Sequence, residues 1–152
     1  MTQDIVSELL DAPSWAVRAK AIERIAMRYA GYRLSEDERH AVEDAFRMVL
    51  YDGEVLVRRV LAESLKNCPD VPRDILMGLA FDIAEVARPI LEYSPLLGEE
   101  DLLVILRDRS EAHACALALR SQLPRRVADE LRSKGLAARP WNFDLQEARS
   151  GD

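Results

Sequence analysis

His113 and Cys115, two residues apart, are the pair whose types could hold a metal ion or move a proton. A metal site needs one or two more soft ligands close by, and neither His40 nor Cys68 lies near in sequence. No metal site is therefore expected, and His113 is read as a helix-interface side chain. The acidic runs Glu36-Asp37-Glu38 and Glu99-Glu100-Asp101 could do acid/base work. Each falls where a helix begins, and negative charge at that end is explained by the helix dipole. There is no phosphate-cradling loop, dinucleotide fingerprint, nucleophile elbow or zinc-protease motif. A non-catalytic protein without cofactor is the expectation. The remaining chemistry belongs to arginine and aspartate: Arg18 follows Asp11 by seven residues, Arg58 follows Asp52 by six and Arg88 follows Asp82 by six. Asp108 begins a degenerate copy in which His113-Ala114 replaces the Val-Arg or Ala-Arg pair. Guanidinium and carboxylate make strong, geometrically specific bonds. The row is read as a structural ladder, in which each Asp caps its own helix and pairs with an Arg of the same or a neighbouring copy. The rival reading, arginines that recognise a ligand, gives way because a buried, paired Arg already has a structural task.

Those residues sit on helices that the apolar pattern marks out. Ile5, Val6, Leu9 and Leu10 form one face of a first helix that stops before Pro13. Ser14 is placed as the cap of a second, with Ala21, Ile22, Ile25, Ala26 and Tyr29 inward and Gly31 as a left-handed stop. Ser35 and Glu38 make a capping box for a third helix with Val42, Ala45, Phe46, Val49 and Leu50 inward. Asp52-Gly53 ends it, and Val57, Val60, Leu61 and Leu65 mark the fourth. Pro72 and Pro124 open later helices, where a missing N–H is harmless. Pro89 lies inside the helix from Ala84 to Tyr93 and predicts a kink or a late start. The helix from Glu111 to Arg120 is expected to bury Ala112, Cys115, Ala116 and Leu119, and both cysteines are read as buried.

The Asp-led copies resemble the HEAT repeat, and the expected fold is all-α: an α-solenoid of about four HEAT-like helix pairs plus a terminal helix. Asp11 and Asp52 are 41 residues apart, Asp52 and Asp82 30, and Asp82 and Asp108 26, so the units shorten along the chain. About five buried apolar side chains contribute roughly 8–15 kcal/mol per helix. Ordering ten or so residues costs about 15 kcal/mol. No pair stands alone, and stacking must supply the surplus.

One domain, residues 1–136, with a tail, residues 137–152, is the expected organisation for 152 residues. No apolar run is long enough to span a membrane and no signal peptide is recognisable, so a cytoplasmic location without membrane contact is expected. The formal net charge of −6 opposes general affinity for nucleic acid, although Arg120, Arg125, Arg126, Arg132 and Lys134 form a local basic end. The expected function is a protein–protein interaction module, an adaptor or scaffold, with Glu23, Arg24, Arg59 and Glu63 on the second helices as contacts for an unidentified partner. Nucleic-acid binding through the basic end and self-association, including a homodimer, are the alternatives. In the tail, Trp141 and Phe143 alternate with polar residues. They are read first as a strap over the end of the stack and second as a hook for a partner.

The segments Asn67-Cys-Pro-Asp-Val-Pro-Arg-Asp-Ile-Leu, Ala87-Arg-Pro-Ile-Leu-Glu-Tyr-Ser-Pro-Leu-Leu97 and Asp101-Leu-Leu-Val-Ile-Leu-Arg-Asp-Arg-Ser110 resemble an uncharacterised, mostly alphaproteobacterial family, a domain of unknown function. The resemblance spans about residues 10–135 and implies a HEAT-like helical domain of the bacterial cytoplasm. It supplies no catalytic motif, and its members are often longer than this chain.

Overall fold

The computed structural model describes residues 2–31 and 34–136. Within them the chain is all-helical. The helices are α1 (Thr2–Asp11), α2 (Trp15–Ala30), α3 (Glu36–Val49), α4 (Val55–Leu65), α5 (Arg73–Ala80), α6 (Ala84–Tyr93), α7 (Glu99–Asp108), α8 (Glu111–Ala118) and α9 (Arg125–Ser133). The second helices pack in succession, α2 on α4, α4 on α6 and α6 on α8, while α1 packs on α3, α3 on α5 and α7 on α9. The two rows also close on each other through α1–α2, α5–α6 and α7–α8. The second helices shorten from 16 to 11, 10 and 8 residues, as the Asp spacings do.

One apolar core runs the length of this stack, from Val6 and Leu9 of α1 to Val127 and Leu131 of α9. Tyr29 and Phe46 anchor its wide end edge to face, with centroids 5.3 Å apart. The Ser35 capping box forms: Ser35 Oγ accepts from Glu38 N–H and the Glu38 carboxylate accepts from Ser35 N–H. At α7 the Asp101 carboxylate accepts from Gly98 N–H in the same sense. α5 approaches α3 so closely that a methyl group at Gly78 would meet Leu50 Cδ1 at 2.8 Å.

Several local expectations are corrected. Leu10 is exposed, while Val6 and Leu9 of the same helix face the core. Ser14 stands at the N-cap of α2 without a side-chain bond, and Gly31 ends that helix at φ −78°, in the right-handed region. Among the described residues the left-handed glycine is Gly135, after α9. Pro72 and Pro124 are N-caps, one position before their helices begin. α6 starts at Ala84 and continues through Pro89 to Tyr93.

The largest correction is at α8. Its buried residues are His113, Ala114, Ala116, Leu117 and Ala118, while Ala112 and Cys115 are exposed. His113 is held at its inward edge, so 113, 116 and 117 share the inward stripe. The short Ala-rich helix carries too little amphipathic contrast to announce that face.

Candidate functional site

The Asp–Arg pairs make a continuous rail along the turns that lead into the second helices. Arg18 reaches forward to the next unit: Nε donates to Asp52 Oδ2 at 2.8 Å and one terminal nitrogen to Asp52 Oδ1 at 3.2 Å. Its other terminal nitrogen donates to the carbonyls of Ala12 and Pro13. Arg58 repeats the arrangement one unit on, donating from Nε to Asp82 Oδ2 at 2.8 Å and from a terminal nitrogen to the Asp52 carbonyl at 2.6 Å. Each Asp also accepts a backbone N–H at the start of its own helix, Asp52 from Glu54 and Asp82 from Ile83. An aspartate is thus the junction of two units, capping one and receiving the arginine of the one before. The Asp82 bond holds the Arg58 guanidinium above its ordinary pKa, against a smaller opposing effect of burial.

The third rung is an imidazole. His113 Nε2 lies 2.7 Å from the Asp82 carbonyl, to which it must donate, and Nδ1 lies 2.7 Å from Ser110 Oγ. His113 is buried, as expected of a helix-interface side chain. Arg88 does not join. Two residues separate Asp52 from Val55, the first residue of α4, but only Ile83 separates Asp82 from Ala84, the first of α6. The helical position of Arg58 therefore falls on buried Ala87, and Arg88, one step round, is exposed. Asp11 and Asp108 are exposed at the ends of α1 and α7, and no arginine of the rail reaches them.

A second rail, missed in the sequence, joins the first helices. Arg47 of α3 pairs with Asp74 of α5 at 2.6 Å, Arg73 of α5 with Asp101 of α7, and Arg126 of α9 with Glu100 of α7 at 3.0 Å. Bonds from Arg47 hold Asp74 below its usual carboxylate range, and Arg73 does the same for Asp101, each against a smaller effect of burial. The adjacent opposite charges of Arg73 and Asp74, in the first turn of a short helix, were the available signal: one reaches each way. A third cluster was also missed. Tyr29 is buried with its hydroxyl donating to Glu43 Oε2 at 2.6 Å, and Arg39 donates to the Tyr29 oxygen and to Asp70. Burial first, and then the Glu43 carboxylate, push the Tyr29 phenol well above its usual range. That locks the proton in place rather than mobilising it, so the cluster ties α2 to α3 and to the turn before α5.

The expected basic end is largely spent on internal bonds. Arg120 is not a surface cation: its guanidinium donates to the carbonyls of Leu91 and Ser94, and burial lowers its pKa. Arg126 faces Glu100, and Arg132 donates to Asp129 at 2.7 Å. Arg125 and Lys134 are exposed. On the second helices Glu23 is exposed, Arg24 clasps both Glu8 oxygens at 3.0 Å, Arg59 approaches Glu85 at 3.8 Å and Glu63 accepts from Lys66 at 2.6 Å. Trp141 and Phe143 lie outside the described residues. Cys68 is buried, but Cys115 is exposed on the outer side of α8, a further correction.

Exposed apolar side chains flank the first rail at three successive turns: Trp15 and Val17, Tyr51 and Leu56, and Ile83. Tyr51 is 90% exposed. The ion pairs of the rail join these three turns. Cavities lie elsewhere. One of about 610 Å³ lies between the end of α6, α7 and the α8–α9 turn, beside Tyr93 and Arg120. One of about 210 Å³ lies where α7, α8 and the end of α9 meet. Among the described residues, no group of three or more His, Cys, Asp and Glu could hold a metal ion, and no helix is long and apolar enough to cross a membrane.

Fold and surface together define an all-α stack of helix pairs bound by inter-unit ion pairs. Residues 86–139 match a family described as an uncharacterised protein conserved in bacteria (DUF2336). The match takes in Ala87–Leu97 and Asp101–Ser110, all of α7 and α8, and the larger cavity, while the Asn67–Leu76 segment lies before it. No curated protein and no solved structure is significantly similar to the chain.

Proposed function

We propose that this protein is a non-catalytic interaction module, a HEAT-like α-solenoid that binds a protein partner along the edge formed by the turns into α2, α4 and α6. The observation that carries the reading is the run of exposed apolar side chains, Trp15, Val17, Tyr51, Leu56 and Ile83, beside a half-buried ion-pair rail. Aromatic groups on a rigid frame contribute most of the energy in protein interfaces, because little entropy is lost when they are covered. The flanking Glu23, Arg59 and Glu63 supply the polar rim such surfaces carry. The cytoplasm is the proposed compartment.

Nucleic-acid binding is the weaker reading, since Arg120, Arg126 and Arg132 are held by groups of the fold and the net charge is negative. The test is a tagged pull-down from the lysate of the native host at two salt concentrations, with and without nuclease. The expected result is a discrete protein that survives nuclease and is lost with Tyr51→Ser/Leu56→Ser at unchanged helicity. Recovery of nucleic acid alone, or of proteins that disappear with nuclease, would transfer the function to the basic end. Retention of the partner by the double variant would move the surface elsewhere.

A further inference from the structure

The cavity of about 210 Å³ gathers two cations that the rails leave out: Arg109, which follows α7, and Lys134, which follows α9. Among the described residues neither takes part in an ion pair. Arg109 Nε is buried there without a hydrogen-bond partner. A donor on a charged group is the costliest kind to close off from water unmet, and folded proteins seldom retain one. Leu106 and Ala114, both buried, form the apolar wall, which keeps the local dielectric low and strengthens any charge pairing inside.

The start of α8 adds donors to the same place. Ser110 lines the cavity and stands at the N-cap of α8, but its side chain makes no capping bond. Because His113 Nε2 donates to the Asp82 carbonyl, Nδ1 accepts, and the Ser110 hydroxyl is spent as its donor. The first N–H groups of a helix have no partner within it, and those of Glu111, Ala112 and His113 receive none from this cap. We propose that the cavity is a binding site for a phosphate group, free or carried on a small monoester, held by Arg109, Lys134 and the first turn of α8. A guanidinium, an ammonium and backbone N–H groups converge from three helices, and a tetrahedral oxyanion has an oxygen for each. The volume suits the group alone, since sites for larger ligands run from about 300 Å³ upward. Glu111 lines the cavity as an opposing charge and pairs with neither cation, so it sets a limit on the affinity.

The experiment is a titration of the full native chain, isotope-labelled, with sodium phosphate, read by the NMR shifts of backbone amides and of Arg109 Nε–H, against sodium chloride at equal ionic strength. Saturable shifts are expected at Glu111, Ala112, His113 and the Arg109 Nε–H. Arg109→Gln and Lys134→Gln should each raise Kd about tenfold or more, as loss of a charge-assisted bond does. Glu111→Gln should lower Kd, because a like charge leaves the rim, a change that a purely structural role for these residues does not produce. Phenyl phosphate in a parallel titration separates the sources: tighter binding than inorganic phosphate assigns the group to an ester, and weaker binding assigns it to the free ion. Equal shifts with chloride, shifts that do not saturate, or a Kd that both charge-removing substitutions leave unchanged would overturn the site. Should Arg109→Gln fail to fold, Lys134→Gln at native helicity decides alone. None of these readouts depends on the partner or edge proposed above.

Discussion

The two rails use the same chemistry in different surroundings. In Arg18–Asp52 and Arg58–Asp82 the side chains are 18% and 14%, and 14% and 13%, exposed, whereas Arg47–Asp74 leaves its partners 38% and 59% exposed. Arg73–Asp101 is mixed, with Arg73 67% and Asp101 13% exposed, so water reaches at least one partner of each outer pair and recovers its charge when they part. Arg47–Asp74 and Arg73–Asp101 are bidentate like the inner pairs, but in the inner pairs both partners are largely desolvated and the arginine is tied to a backbone carbonyl as well, so separation strands a carboxylate among groups that cannot replace the guanidinium. The inner rail therefore fixes how one unit sits on the next, and the outer one adds little beyond solubility.

The sharpest test is Arg58→Ala. It leaves Asp82 and the Asp52 carbonyl without their donor, and urea denaturation should show a loss of about 2–3 kcal/mol, the range for bonds to charged groups. A loss near zero would abolish the distinction between the rails. His113→Ala removes the third rung and its bond to the Asp82 carbonyl, with an expected loss of about 1–2 kcal/mol on the same measurement.

The outer rail should reveal itself chiefly by pH. Asp74 and Asp101 titrate below their ordinary value of 3.8 in the folded chain. Their contribution is thus complete above about pH 5 and disappears as pH falls through the lowered values. In urea midpoints taken from pH 7 to pH 3, Asp74→Asn should lower the midpoint modestly near neutral pH, and the difference from the native chain should shrink as pH falls, which flattens part of the acid decline. A full-sized loss at pH 7 would place this pair with the inner ones. The smallest effect belongs to Arg88→Ala, where an unchanged midpoint is expected because the exposed side chain joins no rung. A loss like that of Arg58→Ala would restore Arg88 to the ladder.

Local signals carried well from sequence to structure. Ser35 and Glu38 form the predicted box, and the inward stripes of α2 and α3 are those their periodicity marks, because three- and four-residue spacings act within one helix. The aspartates at 52 and 82 and the arginines at 18 and 58 were found, but their partners lie 34 and 24 residues apart, in the forward unit. Arg88 was misplaced because a loop one residue shorter rotates the helix register, a matter of turn geometry that spacing from Asp cannot show. The outer rail and the Tyr29–Glu43 cluster were invisible for a related reason: they depend on which helices become neighbours. Leu10 and Cys115 looked internal because apolar character alone does not say which side of a short helix meets the stack.

The forward reach of Arg18 and Arg58 gives the stack a grammar. Asp52 and Asp82 each open a unit by answering the one before, and Arg18 and Arg58 each pose the question to the one after, until the shorter loop before α6 turns Arg88 out of the exchange. His113 acts as the full stop, since it attends to the preceding turn while asking for no following carboxylate. A stack written in this way could be lengthened by inserting an Asp-to-Asp unit upstream of the histidine, but not by appending one after it.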